Sequence, residues 1–164
     1  MKTWIVWVLC LLLMFSGCGS PGELETLGNI SCMDPDPPQP RQISLQLPQD
    51  VAKSAMSGEQ NALYYGQGYS ILVQTFASGD LAATARSVSG YDLTALTVMK
   101  SRCADHERYE WVWTATGEEG DVVCRAAVLD DGVYHYTLQV IVSAQEAGEL
   151  SQKIQSMFQS FCLQ

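Results

Sequence analysis

The sequence predicts an α+β domain, an antiparallel β-sheet meander packed by two helices. Three observations predict it. Apolar and polar residues alternate in several short runs, glycine-bearing turns join those runs, and two segments switch to the three-and-four spacing of a helix. The first run, Ile43-Ser44-Leu45-Gln46-Leu47, stops at Pro48, which cannot donate to a β ladder. Ala62 to Tyr65 and Tyr69 to Phe76 follow, with Gly66-Gln67-Gly68 between them as a hairpin signal. Ser78-Gly79-Asp80 then opens a helix that Asp80 or Ser78 caps, Leu81, Thr84, Ala85 and Val88 share its inner face, and Gly90 ends it. Leu96 to Arg102 reads as a weaker strand.

The next stretch is the most regular. Tyr109, Trp111 and Trp113 fall on one side of a strand, and Gly117-Glu118-Glu119-Gly120 turns the chain into Val122 to Leu129. Asp130-Asp131-Gly132 turns it again into Val133 to Val142, whose Tyr134, Tyr136, Leu138, Val140 and Val142 line one side. The four acidic turn residues read as solvated. Ser143-Ala144-Gln145-Glu146 has the form of a capping box, and Ala147, Leu150, Ile154, Met157, Phe158 and Phe161 make a helical apolar stripe behind it. Hairpin-linked strands imply an antiparallel sheet with helices on one or both faces.

Taken together, Tyr69 to Phe76, the Gly79-Asp80-Leu81 helix opening, the meander and a last helix ending Met157-Phe158-Gln159-Ser160-Phe161 resemble the PsbP/DcrB-type family over roughly residues 43–163. The resemblance implies a small extracytoplasmic domain, often lipid-anchored, that docks onto other proteins, and it brings no active-site motif to carry over.

The N-terminus supplies an address. Lys2 precedes an apolar run from Trp4 to Phe15, shorter than the ~20 residues a spanning helix needs, and small residues follow it. Phe15-Ser16-Gly17-Cys18 looks like the lipobox of bacterial lipoproteins, with Phe15 where Leu is usual. The expected organisation is a signal peptide over residues 1–17, a lipidated Cys18 with a Pro-rich tether over 18–41, and the α+β domain over 42–164. Pro35, Pro37, Pro38 and Pro40 favour extended polyproline II, so the tether is a spacer. Asp34 and Asp36 read as solvated linker residues, since prolines separate and follow them and no calcium-loop Gly or Glu does. The expected location is the extracytoplasmic face of a cell membrane, held by palmitate-type acyl chains.

Charge excludes one class. With a net charge of −9 and 9 scattered Lys and Arg, there is no basic stripe to displace the counterions of a nucleic acid. Six cysteines, less Cys10 and Cys18, leave Cys32, Cys103, Cys124 and Cys162, an even set that favours disulfides outside the cytoplasm. Following the meander up and down places Cys103 and Cys162 at one end of the sheet and Cys124 towards the other. Cys103–Cys162 is therefore the more natural pair, leaving Cys32 on the tether to reach Cys124. Cys103-Ala104-Asp105-His106, with Cys124 and His135 as completers, has zinc-like spacing, yet the pairs fall on different strands and no metal site is expected. His135, beside Thr137 and Gln139, reads as a partly exposed strand residue.

No cofactor and no catalytic residue are expected. His106 and His135 are the only histidines, no Gly-x-Ser-x-Gly elbow occurs, Asp105, Glu107 and Glu110 near His106 read as a solvated charged loop, and Gly66-Gln67-Gly68 lacks the setting of a nucleotide loop. Trp111, Trp113, Tyr134 and Tyr136 are either sheet core or a binding platform, with core favoured. Three functions follow: a noncatalytic protein-binding lipoprotein domain, a small-ligand or metal-binding lipoprotein, and a hydrolase that needs a histidine within reach of a nucleophile and a carboxylate.

Overall fold

A computed structural model describes Pro38–Gln164 except Ser78, Glu118 and Glu119. The expected signal peptide, the lipobox with Cys18, the Asp34 and Asp36 segment and Cys32 lie outside the described residues, as does Ser78 as an alternative helix cap.

The chain forms nine strands and two α-helices, among the described residues. In order they are β1 (Ile43–Ser44), β2 (Ala52–Lys53), β3 (Asn61–Gly66), β4 (Tyr69–Ala77), α1 (Leu81–Ser89), β5 (Met99–Cys103), β6 (His106–Gly117), β7 (Gly120–Asp130), β8 (Tyr134–Ser143), α2 (Ala147–Ser160) and β9 (Cys162–Leu163). A 3-10 turn at Leu93–Ala95 links α1 to β5. Seven strands make one sheet in the order β2-β3-β4-β8-β7-β6-β5, and every pairing in it is antiparallel. The predicted fold class is the observed one.

The helices cover opposite faces. Cross-strand partners point the same way, so the register sorts side chains into two sets. Trp111, Ala126 and Val128 pack with Ala85 and Val88 of α1. Ile71, Ala127, Leu129, Tyr136, Leu138, Val140 and Val142 pack with Ile154, Met157, Phe158 and Phe161 at α2. Alternation alone cannot show this, because a strand covered on both sides has no outer face. His135, Thr137 and Gln139 are accordingly buried rather than partly exposed, which corrects the reading of His135.

Local chemistry explains most boundaries. Asp80 caps α1, its carboxylate accepting the Ala82 N–H at 2.9 Å, and Gly90 closes it in the left-handed conformation. At α2 the expected capping box does not form. Ser143 is the last residue of β8, and Glu146 is itself the cap residue, with no side-chain cap hydrogen bond. The first strand is shorter than expected, Ile43–Ser44, because its partner is the two-residue β9. Strand β6 begins at His106, so the expected charged loop is strand. Asp131 is not solvated. Its carboxylate accepts the N–H groups of Val133 and Tyr134 at 2.9 and 2.6 Å and the Tyr136 hydroxyl at 2.9 Å, and its side chain is 7% exposed.

Candidate functional site

The residues singled out in sequence do not assemble into one centre. Cys103 faces His106 across the β5–β6 turn and packs at the α2 face, whereas His135 and Cys124 belong to the α1 face. The zinc-like set is thus split by the sheet, and no group of three or more metal-binding side chains occurs among the described residues. His106 lies 3.4 Å from a guanidinium nitrogen of Arg41.

His135 does meet a hydroxyl and a carboxylate. Its Nδ1 is 2.7 Å from Thr84 Oγ1 and its Nε2 is 3.5 Å from Asp130 Oδ2. Thr84 and His135 are 6% and 2% exposed, so the hydroxyl and the imidazole are buried between α1 and the sheet. Their contact ties α1 to the sheet. The four aromatics do not form a platform either: Trp111 and Trp113 lie under α1, Tyr134 and Tyr136 under α2.

Cys103, Cys124 and Cys162 are free thiols in the structure. Cys103 Sγ sits 4.0 Å from the carbonyl oxygen of Phe161, which places it beside the residue preceding Cys162. Cys124 pairs with Trp113 near the other end of the sheet. It is buried, and burial pushes its thiol pKa up, which keeps it protonated.

A charged network that the sequence did not announce spans β6 and β7. Arg108 is 7% exposed and reaches the last turn of α2, donating to the carbonyls of Phe158 at 2.7 Å and Phe161 at 3.1 Å. It also donates to Glu110 at 2.7 Å, and Arg125 meets the other Glu110 oxygen at 2.8 Å while stacking 4.2 Å over the Phe158 ring. Burial alone would raise the Glu110 pKa, but the hydrogen bonds from Arg125 and Arg108 outweigh it and the net shift is downward. A depressed folded-state pKa stabilises the fold above the unfolded value of about 4.3 and loses that contribution as pH falls through the folded value. Glu110→Gln is expected to flatten the loss of thermal stability between about pH 5 and pH 3, read from unfolding midpoints against pH. An unchanged pH profile would contradict this reading of the network.

The open site lies at the opposite end of the sheet, where the β3–β4 turn, the start of β7 and the segment leading into α2 meet. A hollow of about 560 Å³ there is lined by Tyr65, Ser70, Asp121, Ile141 and Glu146 among others. A second, of about 390 Å³, shares Asp121 and Val122 with it and is walled by Tyr91. Glycine makes the β3–β4 turn possible. Gly68 has φ +76°, and a Cβ there would overlap the Glu146 carboxylate, while a Cβ on Gly66 would overlap the ring of Tyr69. That ring is buried, its hydroxyl donates to Asp50 at 3.0 Å, and burial first, then Asp50, pushes its pKa up to about 12. Tyr65 and Tyr91 are by contrast 52% and 44% exposed. In sequence, only the Gly66-Gln67-Gly68 turn pointed here.

No protein-family model matches the chain, and no curated protein matches it. Among solved structures, cyanobacterial PsbP (CyanoP) from Synechocystis sp. PCC 6803 superposes with a TM-score of 0.57 at 9% identity, over 74% of this chain and 86% of that one. A protein from Bacteroides thetaiotaomicron VPI-5482 gives 0.53 at 10% identity, over 74% of this chain and 45% of that one. LpqN of Mycobacterium tuberculosis, described as involved in cell envelope biogenesis, gives 0.51 at 9% identity, over 76% and 86%. At these identities the likeness is one of fold. The chain has a PsbP-like α+β fold.

Proposed function

We propose that this chain is a noncatalytic lipoprotein domain, anchored outside the cytoplasm through Cys18 and working by docking onto another envelope protein. The observation that carries the docking is the pair of half-exposed tyrosines, Tyr65 and Tyr91, each at one of two adjoining open hollows, while the other large aromatics of the described residues serve the core. The noncatalytic reading is supported by the His135 set, which has a hydroxyl and a carboxylate in place but buries the hydroxyl and the imidazole between α1 and the sheet. The address rests on the Phe15-Ser16-Gly17-Cys18 sequence, and no helix of the described residues is long and apolar enough to cross a membrane. LpqN, of like fold, is described in connection with the cell envelope, the setting this reading assigns.

Each buried acyl CH₂ contributes ~0.8 kcal/mol, so several chains on Cys18 hold the domain at the membrane. Metabolic labelling is expected to place palmitate on the wild-type chain and send it to the membrane fraction, with Cys18→Ala losing both. A Cys18→Ala chain still labelled and still sedimenting with membranes would remove the anchor from the account.

The same compartment is oxidising, and the proposed structural disulfide joins Cys103 to Cys162. Its formation takes two protons and two electrons from the thiols, delivered by thiol–disulfide exchange to a disulfide oxidant that is thereby reduced to a dithiol. The closeness of Cys103 to Phe161 supports the pairing, and the bond would fasten β9 to the β5–β6 hairpin. Peptide mapping without reductant is expected to recover Cys103–Cys162. Recovery of Cys103–Cys124 instead would contradict the geometry.

A further inference from the structure

We propose that the two adjoining hollows beside Tyr65 and Tyr91, which share Asp121 as a lining residue and have Glu146 at the edge of the larger, form a docking groove for an extended arginine- or lysine-bearing segment of a partner protein. The proposal rests on the docking function and gives its partner a chemistry.

The groove begins as a stretch of sheet that α1 leaves open. Tyr65, Ser70, Ile141, Cys124 and Trp113 form one row across the α1 face. Of these, Trp113 packs into the α1 cluster, while Tyr65 stands half exposed at the far end of the row. Beyond the row the surface dips into the larger hollow and continues, through Asp121 and Val122, into the hollow beside Tyr91. Two adjoining hollows strung along the strand ends suit an extended chain better than a compact molecule.

Charge selects what that chain carries. Asp121 and Glu146 line the trough, and Asp50 and Glu149 line the hollow that adjoins it at Glu146. Among the described residues lining these hollows the one cation is Lys153, whose ammonium already bonds Asp50 at 3.0 Å. The remaining cations of the described residues sit elsewhere. Lys53 faces outward on β2 opposite Tyr64, Lys100, Arg102 and Arg108 lie on the two strands that meet at the Cys103–His106 turn, Arg41 lies by Asp131, and Arg86 and Arg125 are paired with Asp92 and Glu110. An extended segment across these hollows therefore meets carboxylates and a tyrosine at either end, with no lining cation among the described residues except the paired Lys153, and arginine is the side chain that uses both carboxylate and ring.

The test uses the full chain in membrane preparations and a fluorescein-labelled oligo-arginine peptide, followed by anisotropy. An acidic chain attracts such a peptide in general, so two double variants are compared, each removing the same charge. Asp121→Asn with Glu146→Gln is expected to weaken binding about tenfold, and Glu59→Gln with Asp105→Asn less than about twofold. Tyr65→Ala is expected to weaken it while leaving the unfolding midpoint unchanged. Equal weakening by the two doubles would reduce the effect to net charge and overturn the groove, as would calcium ion titrating the site with no peptide bound. An envelope protein crosslinked equally well by wild type and by Asp121→Asn with Glu146→Gln would overturn the groove but leave docking standing.

Discussion

Arg108→Ala is expected to destabilise the domain by about 3–5 kcal/mol, read as a lowered denaturation midpoint, because it breaks a buried, hydrogen-bonded charge network. The guanidinium lies between sheet and helix and closes the C-terminus of α2, satisfying the Phe158 and Phe161 carbonyls that a helix end leaves without partners. A positive charge there also meets the negative end of the helix dipole. Removing it strands two buried acceptors and leaves Glu110 to Arg125 alone. Arg108→Lys should recover only part of the loss, since an ammonium on a single stem cannot hold two carbonyls and a carboxylate with the same planar fork. A full rescue by lysine would mean that charge, and not geometry, is what the position supplies.

Trp111→Ala is expected to cost a similar 3–5 kcal/mol, by a different route. Trp111 is fully buried against Ala85, Val88, Ala126 and Val128, small neighbours that cannot collapse into the space it would leave. Its indole N–H has no hydrogen-bond partner among the described residues. Trp111→Phe thus loses some volume but also relieves a desolvated donor, and should cost far less than the alanine variant. Thermal unfolding of the two variants side by side checks this, and comparable losses would show that the indole nitrogen matters.

Much of the fold was legible because its strands alternate and its turns carry glycine. Tyr69–Ala77, Gly120–Asp130 and Tyr134–Ser143 sit within a residue or two of the runs that predicted them, and Asp80 and Gly90 mark α1 as expected. What stayed hidden depends on contacts far apart in sequence. His135 read as partly exposed because it lies beside Thr137 and Gln139, opposite the Tyr134 and Tyr136 face, but α1 packs on that side of the sheet and all three are buried. Asp131 read as solvent-facing because turns usually are, yet the next strand folds its N–H groups back onto the carboxylate. Glu107 and Glu110, near His106, read as a charged loop, although His106, Arg108, Glu110 and Val112 continue the alternation of Tyr109, Trp111 and Trp113 in the opposite phase, a signal available in the sequence. The candidate groove had almost none, because it is made by three separate strand ends meeting.

The most direct measurement of the docking function is photocrosslinking on intact cells, with a photoreactive residue replacing Tyr65 in the full chain and, as control, replacing Gln155 on the exposed side of α2. One recurrent envelope-protein adduct is expected from position 65 that position 155 does not give, lost in Asp121→Lys. Adducts with lipid alone, or the same set of proteins from both positions, would contradict the docking function.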